Sequence, residues 1–321
     1  MSAALRELAL EDERIWTRAW VCVGVEQQIP GLGDLLPATV GHHGLHVQRG
    51  PDGGLRAGFN VLQYGSCWTI PAQCGHGHKT NCPYVSCAHS LDTDAVAADD
   101  GVPTRQMRQF IGFNPQKLAD VPVRTVGPLI FVTLADPPPL EEQLGALGAA
   151  AAALGGLRHV ARFWAELDCN WKLAGDALFE ALGAPPRSGR LVERLAAGTD
   201  VPGTMRGRPR AADAGAPLAP DDGGVRLWRA FPNVVLVCAP DHAATVVVKP
   251  TRIDGVALVI SLFARRGDAA GGVVEEGADE EAAALAAGWR AVAREARARS
   301  RSARMGDGSP ILTHARSLLG G

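Results

Sequence analysis

Between Val21 and Leu134 the chain breaks into short β-like runs punctuated by Gly and Pro, while helical periodicity is confined to the segments on either side. A strand buries alternate residues and a helix buries a stripe of period 3.6, so separating the two patterns argues for an α+β chain with a β module set into it. Upstream, Leu5, Leu8, Ile15, Trp16 and Ala19 fall near helical spacing within Ala4–Trp20, with Glu and Arg between them. Inside the β-like region the clearest hairpin is Leu45–Arg49, a Pro51-Asp52-Gly53-Gly54 turn, and Leu55–Phe59. Val126–Leu134 is a continuous apolar run, the pattern of a buried strand.

Downstream of Pro137-Pro138-Pro139, the Ala-rich stretch Leu140–Leu154 is expected to be a helix. Arg162–Asp168 alternates like a strand, and Trp171–Leu182 is again helical. Residues 183–224 are rich in Gly, Pro, Ala and Asp and are expected to form a long loop. Strands are expected at Leu227–Val237, Ala244–Lys249 and Val256–Ala264, then a long Ala/Arg helix over Glu280–Arg304.

Composition narrows the classes of function. With 321 residues, 46% of them hydrophobic, the chain can build two cores. A net charge of −2 gives no basis for nucleic acid or an anionic membrane as partner. No apolar run approaches the roughly 20 residues of a membrane span, and the first residues lack the basic-then-apolar order of a secretion signal, so a cytoplasmic location is expected. Seven cysteines, an odd number, argue against a disulfide framework. Four of them, Cys67, Cys74, Cys82 and Cys87, are interleaved with His76, His78 and His89. Cys74, His76, His78 and Cys82 could supply a tetrahedral zinc site, although their spacing matches no zinc-finger pattern.

Several segments resemble one family in its own order. Glu13–Trp20 followed by Val21–Gly24 is similar to the opening helix and strand of Rieske non-haem iron oxygenase α-subunits, the aromatic-ring-hydroxylating type. Pro30–Asp34 resembles the turn that follows there, Phe59-Asn60 the approach to the first cluster loop, and Cys82-Pro83-Tyr84 the second loop. Gly127–Leu134, Asn170-Trp171-Lys172 and Phe231-Pro232-Asn233 continue the series. No one of these motifs is specific; their order along nearly the whole chain carries the resemblance. It implies an antiparallel β Rieske-like domain inserted into a helix-grip (START/Bet v 1-like) domain. The expected boundaries are 1–36 for an N-terminal helix and strand packing on the catalytic-type domain, 37–135 for the Rieske-like domain and 136–321 for the helix-grip domain.

The resemblance also locates two metal centres, and at both the donors differ. A Rieske cluster takes two thiolates and two imidazoles. Anchored on Cys82, the family's spacing points to Leu62, Tyr64, Cys82 and Val85, of which Leu and Val have no donor atom. The mononuclear iron of the family takes two histidines and a carboxylate. Its register from Asn170-Trp171-Lys172 points to Gly183 and Ser188, with Glu295 near the carboxylate position. Glu180 occupies the place of the acid that links neighbouring subunits, and is a candidate interface residue.

On these grounds the expectation is a non-catalytic subunit, without cofactor or with zinc at most. It would sit in a trimer-based hetero-oligomeric ring beside an active Rieske oxygenase paralogue. Two alternatives stand beside it. One is a metal-independent small-molecule-binding protein or enzyme that uses the helix-grip cavity, with Asp176, Glu180 and Trp228 converging on a pocket. The other is a zinc-stabilised adaptor built on the Cys67–His89 cluster.

Overall fold

Two antiparallel β systems, each with its own core, organise the chain. The computed structural model describes residues 3–41, 43–59, 120–182, 192–197, 225–239, 242–264, 278–302 and 310–319. Two compact units divide it: Trp16–Thr125 with Leu129–Pro137, and Met1–Ile15 with Val126–Pro128 and Pro138–Gly321.

The first unit holds a three-stranded sheet of order β1-β7-β6, with β1 Val21–Val25, β6 Val123–Val126 and β7 Leu129–Val132. A four-stranded sheet runs β2 Leu35–Val40, β3 His43–Arg49, β4 Leu55–Phe59 and β5 Asp120–Val121. Register explains why these strands hold together. Leu36, Val47, Ala57 and Val121 lie opposite one another across the four strands and form one apolar row. The 50–54 turn closes as its residues require, with Gly50 N donating to Gly54 O at 2.7 Å and Gly54 N to Asp52 Oδ1 at 3.1 Å. Arg49 braces it, donating to Ile29 O, Gly53 O and Glu26 Oε2, each at 2.9 Å.

In the second unit a six-stranded antiparallel sheet has the order β8-β13-β12-β11-β10-β9. The strands are β8 Arg158–Leu167, β9 Val192–Ala197, β10 Val225–Ala230, β11 Val234–Cys238, β12 His242–Arg252 and β13 Gly255–Ala264. Among the described residues six helices accompany it: α1 Ala3–Glu11, α2 Leu140–Leu144, α3 Ala146–Ala153, α4 Trp171–Ala181, α5 Ala278–Ser302 and α6 Pro310–Leu319. Helices α4 and α5 pack on one face of the sheet. Arg229 of β10 reaches Asp176 of α4, and Arg290 of α5 lies 5.1 Å over the Phe163 ring of β8. Strands β11 and β13 are buried along their whole length, which accounts for their unbroken Val/Leu/Ile runs. At Gly127, with φ of +55°, a Cβ would stand 1.9 Å from Ala151 O, so only glycine lets the chain pass α3.

Four expectations differ from the structure. Strand β9 lies within the stretch read as a loop, because its partner β10 supplies the pairing that its weak pattern does not advertise. The run Leu227–Val237 is two strands, broken at the cis Phe231–Pro232 bond, where Asn233 O accepts from Val248 N at 2.8 Å. The helix expected over 140–154 is divided at Gly145, whose φ is +50°. Helix α6 was not anticipated; Pro310 opens it and Arg14 Nη1 donates to Leu319 O at its end, at 3.0 Å.

Candidate functional site

The best-defined polar constellation is built on α4. Asn170 is its N-cap, accepting from Lys172 N at 3.1 Å, and its Nδ2 donates to Ile253 O at 2.9 Å, tying the helix start to the β12–β13 turn. From the first turn, Trp171 Nε1 donates to Glu11 Oε2 at 2.9 Å. Lys172 Nζ donates to Glu7 Oε1 at 2.7 Å and also to Glu11 Oε1. Lys172 is 1% exposed, so its charge is tolerable only because α1 brings two carboxylates to it. The Asn-Trp-Lys motif thus works as a clamp between α1 and α4.

One turn further along α4, buried Asp176 receives Arg229 Nη1. The guanidinium also lies 5.1 Å from the centre of the Phe179 ring. Gly175 makes room for it, since a Cβ there would stand 3.3 Å from Arg229 Cδ and Nη1. This pair was not legible in the sequence, because Arg229 lies 53 residues away on another strand. Trp228, next to Arg229 in β10, projects to the opposite face of the sheet, and Glu180 is exposed. Asp176, Glu180 and Trp228 therefore do not converge on a common pocket.

Other ionisable groups follow the same physical logic. Glu295 pairs with Arg299 at 2.8 Å on the exposed face of α5. Arg301 and Arg297 hold the Asp168 carboxyl below the usual carboxylate range, at 3.0 and 3.3 Å. Four arginines of α5, Arg290, Arg297, Arg299 and Arg301, thus serve contacts inside the unit. Cys22, Cys169 and Cys238 are buried, and burial pushes their thiols up to about 12, 11 and 12, which keeps them protonated packing residues.

Among the described residues no three His, Cys, Asp or Glu side chains gather as a metal site would. The positions that the family's spacing singled out, Leu62, Tyr64, Cys82, Val85, Gly183 and Ser188, lie outside the described residues. So does the Cys74, His76, His78 and Cys82 set.

Comparison with known proteins identifies the company this chain keeps. No protein-family model matches it. It is 30% identical over 134 residues to the glycine betaine monooxygenase oxygenase subunit of Chromohalobacter salexigens, covering 42% of this chain and 29% of that protein. It is 26% identical over 184 residues to the carnitine monooxygenase oxygenase subunit of Escherichia coli K12, covering 55% of this chain and 47% of that protein. The matches thus span less than half the length of these curated relatives. Among solved structures, the quaternary ammonium Rieske monooxygenase CntA in complex with its substrate γ-butyrobetaine superposes with a TM-score of 0.60 at 15% identity, covering 97% of this chain and 91% of that one. Naphthalene 1,2-dioxygenase from Rhodococcus sp. bound to indole gives 0.58 at 18% identity, covering 92% and 79%. The homologues and structural neighbours are Rieske oxygenase α-subunits, of mixed α/β content.

These relatives correct three expectations. They are oxygenase subunits, and CntA is described with bound substrates, so the reading of this chain as a non-catalytic partner is overturned. The preference for no enzymatic role falls with it. The expectation of no cofactor, or of zinc alone, is overturned too, because proteins of this class are defined by a Rieske iron–sulfur centre. The physical source of the error is specific. Absence of function was inferred from the absence of donors at Leu62, Val85, Gly183 and Ser188, and the relatives overturn that step from donors to function. On partners, CntA is described with inter-subunit electron transfer. No helix among the described residues is long and apolar enough to cross a membrane.

Proposed function

We propose that the chain is an oxygenase-type subunit: an iron-dependent oxidoreductase component, built as a β Rieske-like domain over 37–135 set between residues 1–36 and a helix-grip domain over 136–321. The observation that carries this reading is sequence similarity to two monooxygenase oxygenase subunits, joined to a fold match over 97% of the chain. The six-stranded antiparallel sheet with long helix α5 against one face supports the helix-grip assignment.

The donors decide where iron fits. At the family's spacing they do not fit: Leu62 and Val85 have no donor atom, Gly183 offers no side chain and Ser188 no imidazole. Cys74, His76, His78 and Cys82 carry two thiols and two imidazoles, the number and type of ligands that a Rieske centre takes. They are the set proposed to hold an iron–sulfur group, which would supply one-electron transfer. Glu180, exposed near the end of α4, is the residue proposed to meet a neighbouring subunit in a ring.

The test is iron and acid-labile sulfide content, with the visible absorption spectrum, of full-length protein purified without oxygen. The expected result is about two irons and two sulfides per chain, lost in Cys74→Ser and Cys82→Ser and retained in Leu62→Ala. Protein free of iron and sulfide would overturn the reading.

A further inference from the structure

The helices of the second unit differ in what holds them in place. Helix α4 buries Leu173, Leu178 and Phe179, and α5 buries Leu285, Trp289 and Val292. The two end helices bury far less. Among the described side chains of α1, Leu8 and Leu10 are half-buried and the buried residue is Glu11. Among those of α6, Ala315 is buried and Leu318 and Leu319 are half-buried. Apolar burial is the main force that fixes a helix, and an element short of it opens more readily than the core.

Polar contacts take its place, and they join the end helices to each other and to α4. Lys172 of α4 is 1% exposed and donates to Glu7 and Glu11 of α1. Trp171 Nε1 donates to the same Glu11. Arg14, just beyond α1, donates from Nη1 to Leu318 O and Leu319 O, at 3.3 and 3.0 Å. A helix leaves its last carbonyls without intrahelical donors, so this guanidinium closes the end of α6 and meets the negative end of its dipole. Helix α6 in turn touches both α1 and α4, and all three belong to one compact unit.

We propose that α1 and α6 form a strap across the start of α4 that opens and closes as a single unit. Opening parts Lys172 from its two carboxylates and presents its ammonium and the Trp171 indole to solvent. Separation is reversible because it returns all three charges to water, which offsets the lost attraction. Coupling follows from the contacts. When α1 leaves, α6 loses its closing guanidinium and one of its neighbours; when α6 leaves, α1 loses a neighbour and Arg14 its acceptors. The strap does not depend on the proposed iron–sulfur ligands.

The experiment is amide hydrogen exchange of the full chain, read by peptide mass spectrometry, with one substitution on each helix of the strap. Ala315→Glu forces a charged side chain into the buried contact of α6. Glu7→Gln, in α1, removes one carboxylate from Lys172. Ala315→Glu is expected to speed exchange in α1 about tenfold, and Glu7→Gln to speed it in α6 about threefold, with β11 and β13 unchanged. Acetylation of Lys172 is expected to quicken by the same factors. Faster exchange confined to the helix that carries the substitution would overturn the proposal. So would unchanged acetylation of Lys172, or end helices that exchange no faster than β13 in the native chain. If Ala315→Glu also loosens β13, Glu7→Gln decides: faster exchange in α6 with β13 unchanged supports the strap, and an unchanged α6 overturns it.

Discussion

The two buried lysines of the second unit solve the same electrostatic problem in different ways. Lys172, between α1 and α4, has its charge met by carboxylates from a helix more than 160 residues away in sequence. Lys249, on the far face of the sheet, has a guanidinium for a neighbour and meets no carboxylate among the described residues. The first arrangement is complete within the chain and reads as structure. The second has no such carboxylate among the described residues, and its charge is accommodated by deprotonation and contact with water instead. Burial alone therefore does not decide how a charge is accommodated; the partner does.

The largest effect that can test this contrast is at Glu11. Replacing it by Ala strands the Trp171 N–H and leaves the buried Lys172 ammonium only the more exposed Glu7 carboxylate, and is expected to cost about 3 kcal/mol in urea denaturation. A loss below about 1 kcal/mol would mean that the clamp is not what holds α1 to α4.

Lys249 is expected to behave with the opposite sign. Its amine is lowered from 10.5 to about 8 in the folded chain, so the unfolded chain holds the extra proton between those values. Folding stability should rise as pH increases from 8 to 10.5, by about 3 kcal/mol. In Lys249→Met that rise should vanish and stability at pH 7 should increase. Denaturation curves at several pH values read both, and a destabilised Lys249→Met protein would break the comparison.

His46 offers a third solution, which is to give up the charge. Buried in β3 with Nδ1 unbonded, it is lowered by burial from 6.5 to about 4. Stability contributed by keeping it neutral is present above pH 6.5 and is lost as pH falls toward 4. The loss should reach about 3 kcal/mol, and His46→Gln should flatten the acid limb of the stability curve. At the small end, Glu295→Ala removes an exposed pair one turn apart on α5 and should change stability by about 0.4 kcal/mol. A much larger change there would show that Glu295 does more than meet Arg299.

Much of the fold was legible in the residues. The 45–59 hairpin followed from its turn chemistry, and α4 and α5 from their periodicity. Strand β9 was not legible, since its Val-Glu-Arg-Leu-Ala-Ala pattern gains its meaning from pairing with β10. The candidate site was legible in part. Asn170-Trp171-Lys172 stood out as a motif, but its partners Glu7 and Glu11 did not. Lys249 closes the run Val246-Val247-Val248, and a charge ending such a run is a signal that could have been weighed. Reading absent ligands as absent function went too far, because one fixed register cannot account for every donor in a stretch so rich in Cys and His.

The sequence by itself determined which segments bury one face, where turns must close, and which donor atoms exist for a metal: these are properties of single residues and their spacing. Only the tertiary structure decided which charges meet. Whether a lysine faces two carboxylates or another cation depends on strands and helices distant in sequence, and electrostatic energy in a low-dielectric interior is set by those distances.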